Sequence, residues 1–484
     1  MTRSKTAARE HDVLAGVTVE LVRLGPGVTP EAFEAAVQRR LPMMVGSLLS
    51  RTHEDWFALA PDVTPALRSA GRDERIALMQ AGVVSFNTLD AGAYEQSALM
   101  HEAHASPVSG ARRLDAIAAP TYWRTAWYQG REIKLDWHVA ATRLPEAWAL
   151  LGPEGPARYA HIKVAHIDTG YTEHPVFGWG CPAGPWLLPQ LGVNFWRRRV
   201  EPDDLGRLPG TWNAASEHRG PRDNHAGPSG GHGTRTGSLL CGLFAPHVPI
   251  ESPFFGAAPG AAVIPYRITD WVLIDRAQGL LAAAIDDAVA KGASVISISL
   301  GAARRSKPVA AAITAAYRRG VIICAAAGNM VRPVVYPGRF RCVVTLGGAT
   351  TSNGMDLHPW RGASRGPTVD VSGPADAIRR ATTEVTDGVE RYRIAGPGSG
   401  TSYATALCAG IAVLWLAHRG PELEAAYGSK RWARAAAFKR LVAETASTPE
   451  GWNRRDYGSG VYQADALLQA DLPALSELAQ ESDL

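Results

Sequence analysis

The chain has little cysteine, no internal repeat, no low-complexity tract and no long unbroken apolar run, and each shortage narrows its class. Its five cysteines, Cys181, Cys241, Cys324, Cys342 and Cys408, are widely spaced and odd in number, which excludes a complete disulfide framework and points to buried free thiols. Residues 1–12 carry charge and no apolar h-region follows them, so no secretory signal is visible and the expected location is cytoplasmic. Neither sign of charge dominates: 50 Lys plus Arg face 46 acids, a formal net charge of +4, which gives no argument for a nucleic-acid partner. Arg197-Arg198-Arg199 is a local basic cluster without interleaved aromatics and reads as a solvated loop. The apolar run that starts at Ser402 meets His418 and Arg419 too early for a membrane span and reads as a core helix.

What is present is a chain of 484 residues, 46% hydrophobic, enough for one large domain with an appendage. Three polar islands stand out in it. His166-Ile167-Asp168-Thr169-Gly170 follows an apolar run, residues 162–167, that Lys163 and His166 interrupt, and it fits a strand delivering a carboxylate at its C-terminal end, with Thr169 placed to hold one oxygen. Gly231-His232-Gly233-Thr234 is a glycine-rich turn leading into a helix of small and apolar residues. Gly400-Thr401-Ser402-Tyr403-Ala404 opens the apolar helix, where Ser402 fits an N-cap. A serine hydroxyl becomes a nucleophile when an imidazole takes its proton, and the imidazole needs a carboxylate to fix its tautomer. Asp168, His232 and Ser402 supply those three roles. A fourth island, Ala325-Ala326-Ala327-Gly328-Asn329, ends a buried-strand pattern and offers the Asn329 amide to a developing oxyanion.

Competing readings of these islands are weaker. A phosphate loop needs Lys and then Ser or Thr after its last glycine, and none follows here. His218, His225 and His232 recur every seven residues, a spacing that matches no common metal pattern.

The order Asp, His, Ser, with the residues around each, resembles the subtilisin-like serine proteases, the subtilase or peptidase S8 family, from about Trp137 to about Leu468. The resemblance implies an α/β fold with a central, mostly parallel sheet flanked by helices. It implies a serine endopeptidase acting through an acyl-enzyme, with Asp168 as acid, His232 as base, Ser402 as nucleophile and Asn329 as oxyanion donor. The alternative is a binding or scaffold protein that kept this fold without catalysis. The resemblance also places Ser299, Leu300 and Gly301 along one side of the pocket for the residue before the cut, Ala326, Ala327 and Gly328 along the other, and Val335 near its base. The serine–aliphatic alternation of residues 294–301 suits a strand edge that pairs with an extended peptide. Val335, where the family often has glycine before Tyr-Pro-Gly, implies a shallow pocket for small or medium apolar residues.

Two more departures stand out. Arg235 replaces a second histidine, and Leu407-Cys408 replaces a Pro-His pair, which leaves that helix less kinked. The chemistry requires no cofactor. Calcium often stabilises the family, but none of Asp203, Asp204 or Asp223 can be assigned to a site, and no metal ligand is predicted.

Three segments are expected. Residues 1–127 carry a small α/β domain and a connector. Its strands are expected over 17–24, 55–60 and 83–86 and its helices over 29–37 and 72–81, and it serves as a regulatory, partner-binding or propeptide-like unit. Residues 128–470 form the catalytic domain, with an amphipathic helix over 430–445 and a stretch over 457–467 that resembles the family's closing segment. Residues 471–484 are an acidic tail. The expected partners are a protein or peptide substrate and a regulatory protein, with neither nucleic acid nor membrane.

Overall fold

The computed structural model describes residues 137–152, 155–180, 185–196, 221–223, 225, 229–243, 254–351, 356–386 and 389–484, preceded by six strands and the single positions 28 and 32. Four of those strands, β1 (Thr18–Leu24), β2 (Met44–Leu48), β3 (Trp56–Pro61) and β4 (Val83–Asp90), form an antiparallel sheet in the order β2-β3-β1-β4. Because β3 runs antiparallel to both β1 and β2, those two run the same way, which demands a crossover between them. Of the two expected helices, Ala32 is described and helical, and residues 72–81 lie outside the described residues. Strand β2 was not expected from its sequence. A hairpin of β5 (Arg124–Tyr128) and β6 (Arg131–Leu135) follows, so the boundary expected between residues 127 and 128 falls inside a paired strand.

The large sheet takes β7 (Lys163–Asp168), β8 (Val193–Asn194), β9 (Val263–Arg267), β10 (Ala293–Ile298), β11 (Ile322–Ala326), β12 (Val344–Thr351) and β13 (Leu357–Pro359) in the order β13-β12-β11-β10-β7-β9-β8. Strand β14 (Val371–Pro374) also pairs with β12. Every pairing is parallel except that of β13. Strands β9 and β11 are buried at every position, which is why the sequence of β11 runs continuously apolar rather than alternating.

Helices α1 (Trp137–Ala141), α2 (Leu144–Leu151) and α3 (Gly155–Tyr159) lead into β7. Then come α4 (His232–Cys241), α5 (Gln278–Ala290), α6 (Lys307–Arg318), α7 (Thr401–Tyr427) and α8 (Trp432–Glu444). Helix α7 packs on α4 and against β10, β11, β12 and β14. It runs unbroken through Leu407 and Cys408, with Pro421 only in its last turns. Its length and composition would suit a membrane span, yet 89% of that window is buried inside the protein, as a core helix requires. Cys241, Cys324, Cys342 and Cys408 are free and buried, and Cys181 lies outside the described residues.

Residues 471–484 are docked rather than extended into solvent. The Asp483 carboxylate accepts the N–H of Arg341 at 2.7 Å and of Cys342 at 3.0 Å, so the acid that suggested a tail closes a turn of the domain.

A hairpin of β15 (Ile378–Thr386) and β16 (Val389–Gly398) packs on α4, and His174 pins it. The His174 Nε2 lies 3.1 Å from the Arg393 carbonyl, which can only accept, so Nδ1 is the bare nitrogen, and it receives the Val176 N–H at 3.1 Å. Burial disfavours the charged ring and lowers its pKa to about 4. Below about pH 6.5 the unfolded chain therefore takes up a proton that the folded ring refuses. The contribution is complete above that pH and is lost progressively as pH falls towards 4, by about 3 kcal/mol. Chemical denaturation at stepped pH should show that decline in the wild type and a flatter curve in His174→Gln; parallel curves would contradict this account of the hairpin's anchor.

Candidate active site

Parallel strands bring their C-terminal ends to one edge of the sheet, where α/β proteins build sites. Here that edge collects Asp168 from the end of β7, Ser299, Leu300 and Gly301 just past β10, and Ala327, Gly328 and Asn329 just past β11. Two helices begin beside it, α4 with His232 and α7 with Thr401 and Ser402.

Asp168 is fully buried, and each of its oxygens is held. Oδ1 accepts the Thr169 backbone N–H at 2.7 Å and faces His232 Nδ1 at 2.7 Å. Oδ2 accepts the Thr236 hydroxyl at 3.2 Å, from one turn further along α4. Burial alone would raise the pKa of this carboxyl, but the His232 imidazole and the Thr169 amide outweigh it, and the acid stays below the usual carboxylate range. The expectation that Thr169 holds the carboxylate is met by its amide. Its hydroxyl does other work, donating to Asp223 Oδ2 at 2.7 Å and accepting the Gly233 N–H at 3.0 Å.

The turn before α4 explains its glycines. Gly231 caps the helix at φ 74°, a left-handed conformation that costs glycine nothing. A Cβ on Gly233 would sit 2.0 Å from the Gly170 carbonyl, so only glycine lets the helix start this close to the acid strand. Asp223 ties the turn together by accepting the N–H groups of Gly231 at 2.7 Å and His225 at 2.8 Å. Both of its oxygens serve donors of this turn or of Thr169. Asp203 and Asp204 lie outside the described residues, and among the described residues no cluster of His, Cys, Asp and Glu could hold a metal. Arg235 stretches back to the Gly230 carbonyl at 2.9 Å, bracing the same turn.

Ser402 is the second residue of α7 rather than its N-cap, a place taken by Gly400. Its hydroxyl lies 3.4 Å from the Ser299 carbonyl, and the Ser299 hydroxyl donates to the Ser402 carbonyl at 3.0 Å. Thr401 fixes Asn329: the Thr401 N–H donates to Asn329 Oδ1 at 2.8 Å and its hydroxyl to the same oxygen at 3.0 Å. A backbone N–H cannot accept, so the amide orientation is settled and Nδ2 is the group turned to other acceptors.

A cavity of about 40 Å³ adjoins Ser402 and Asn329, lined by Ser299, Leu300, Gly301, Ala326, Gly328 and Val335 among others. Ala327 does not line it; its side chain joins Val334 and Val369 in a small apolar cluster, and its carbonyl seats the Val335 N–H at 2.9 Å. The Val335 methyl groups lie over Gly301, where a Cβ would approach one to 2.6 Å. The strand edge at Gly301 is already in use. Its N–H donates to the Val272 carbonyl and its carbonyl accepts the Ile274 N–H, both at 2.9 Å.

Sequence reasoning missed Thr401, Asp223 as a structural tie, and the His166–Thr236 pair behind the acid. The last had a signal. His166 breaks an apolar strand, and Thr236 stands one helical turn after His232, on the same face.

A family model described as the Subtilase family matches residues 160–460, which takes in every site residue above. The minor extracellular protease Epr of Bacillus subtilis is 26% identical over 288 residues, 59% of this chain and 36% of the relative. Thermitase of Thermoactinomyces vulgaris is 27% identical over 283 residues, 57% of this chain and 80% of the relative. The chain thus spans about a third of the first of these relatives and most of the second. Among solved structures, fervidolysin from Fervidobacterium pennivorans, titled a keratinolytic enzyme related to subtilisin, superposes with a TM-score of 0.60 at 18% identity, covering 95% of this chain and 61% of that one, a likeness of fold. With the family match spanning the whole sheet edge and both helix starts, the chain belongs to the subtilase family.

Proposed function

We propose that the protein is a serine endopeptidase that hydrolyses peptide bonds through an acyl-enzyme on Ser402. The observation that carries this reading is the 2.7 Å contact between Asp168 Oδ1 and His232 Nδ1 at the sheet edge where Ser402 begins its helix. An ionised carboxylate only accepts, so Nδ1 bears the proton and Nε2 is the basic nitrogen. In the proposed cycle Nε2 takes the Ser402 proton as Oγ attacks the substrate carbonyl, while Asp168 steadies the imidazolium. The oxyanion meets Asn329 Nδ2 and the Ser402 N–H, one of the first N–H groups of α7, where the helix dipole favours negative charge. Nε2 then protonates the leaving amine. Water repeats the sequence on the acyl-enzyme and restores the hydroxyl. These steps call on the chain's own side chains, one backbone N–H and water.

The substrate in this proposal is a protein or peptide entering as an extended strand along Ser299 and Leu300. The pairing of Gly301 with Val272 and Ile274 limits how far that strand extends, or has to open first. Val335 fills the pocket floor and favours small or medium apolar residues before the cut. A reducing, intracellular setting is proposed on the four free, buried thiols; recovery of the natural protein outside the cell would end that reading. The N-terminal sheet is proposed as a retained regulatory or partner-binding unit. Intact-mass analysis showing the wild type, but not Ser402→Ala, shortened before residue 128 would replace this with self-removal.

Ser402→Ala should keep its fold and lose more than about a thousandfold in peptide turnover. Asn329→Ala should lose about a hundred- to a thousandfold in kcat, the size known for such a donor in subtilisin. Activity near wild type in either variant would overturn its assigned role. A peptide-library profile should show small or medium apolar residues before the cut, and Val335→Gly should admit larger ones; a wild-type preference for Phe, Tyr or Arg contradicts the pocket reading.

A further inference from the structure

Two polar side chains stand behind the Asp168–His232 pair, and the proposed proton transfers use neither. His166 lies two residues before Asp168 on β7, on the same face of the strand, and is 3% exposed. Thr236 lies one turn after His232 on α4 and is fully buried. His166 Nε2 is 3.2 Å from the Gly233 carbonyl and 3.0 Å from Thr236 Oγ1. The direct gap from Nε2 to Asp168 Oδ2 is 3.9 Å, too long for a hydrogen bond, while Thr236 Oγ1 reaches that oxygen at 3.2 Å.

The direction of the chain follows from what each group can do. The Gly233 carbonyl only accepts, so His166 Nε2 carries the proton and faces the threonine oxygen as a donor. The threonine's single proton is then left for an acceptor. The His232 carbonyl at 3.0 Å and the Gly233 carbonyl at 3.4 Å compete for it, but a buried carboxylate oxygen is the stronger acceptor. Burial holds the ring neutral, in keeping with a single N–H, and among the described residues Nδ1 has no hydrogen-bond partner.

We infer that His166 and Thr236 are positioning residues, forming a one-way chain from His166 Nε2–H to Thr236 Oγ–H to Asp168 Oδ2 that fixes the rotation of the carboxylate. With Oδ2 held, Oδ1 stays aimed at His232 Nδ1 and the base keeps its tautomer through the cycle. Without the threonine proton the carboxylate has its Thr169 and His232 contacts on one oxygen only, and can turn about its Cβ–Cγ bond. The inference rests on the peptidase reading for its kinetic consequence, and its structural content can be read without substrate.

The test compares Thr236→Val, which keeps the volume and removes the hydroxyl, with Thr236→Ser, which keeps it. Proton NMR on histidine-labelled enzyme reads the downfield N–H proton shared by His232 and Asp168, with no substrate present. That resonance should shift or broaden in Thr236→Val and return in Thr236→Ser. In peptide hydrolysis, Thr236→Val should lose about tenfold or more in kcat with KM within about twofold, the scale of losing an orienting outer hydrogen bond. Adding His166→Val to Thr236→Val should cost little more, because the chain is already cut. An unmoved resonance, an equal loss in the serine and valine variants, or strict additivity in the double variant overturns the inference and places any effect in packing. If Thr236→Val does not fold, His166→Gln against His166→Val decides: the glutamine, which can still donate, should keep the resonance and the valine should not, and equal behaviour overturns the inference. A wild type that shows the resonance but cuts no peptide would sink the peptidase reading instead.

Discussion

A carboxylate with no exposed surface sits at the end of β7, inside the large sheet, and the surrounding architecture answers to it. An unpaired buried charge costs several kcal/mol, so Asp168 has to be met by donors on every side. They come from three places: the amide of Thr169, the imidazole of His232 and the hydroxyl of Thr236. Two of the three belong to α4. The helix must therefore start against the acid strand, so closely that Gly233 has no room for a side chain, and Asp223 has to hold the turn in that place. Fold and site share these contacts.

The second helix start obeys a similar logic. Helix α7 is buried along its first turns because it packs on β10, β11, β12 and β14, and it starts beside the sheet edge that carries Asp168. Thr401 uses its N–H and hydroxyl to lock the oxygen of Asn329, which orients the amide that the proposed chemistry needs. Ser402 follows in the first turn. The serine and the asparagine, distant in sequence, are thus set by a shared pair of hydrogen bonds, and the small pocket beside them is shaped by Val335 lying over Gly301.

Much of this was legible beforehand because it is local. Buried parallel strands are short apolar runs ending in Asp or small residues, and β7, β10 and β11 fall where those runs predict. Glycines flanking His232 announce a tight approach to something, and the apolar run after Ser402 announces a core helix. What escaped was tertiary. Met44–Leu48 has no alternation and contains a glycine, and becomes a strand only through its pairing with β3. The acids near the C-terminus look like a solvated tail until Asp483 meets the amides of Arg341 and Cys342. The resemblance places Ala327 on the pocket wall with its neighbours, but the alternation of an extended chain turns it to the other face, where Val334 and Val369 take it. Thr169 holds the carboxylate through its amide and leaves its hydroxyl for Asp223, a distinction no sequence carries.

Labelling with a fluorophosphonate probe, read by peptide mass, tests the central claim most directly, since the probe reacts only with a serine whose proton is being taken and whose oxyanion is held. The account predicts a single adduct on Ser402, absent in Ser402→Ala and strongly slowed in His232→Ala. A folded wild-type protein that takes up no label while a control protease does, or that is labelled at another serine, would contradict it.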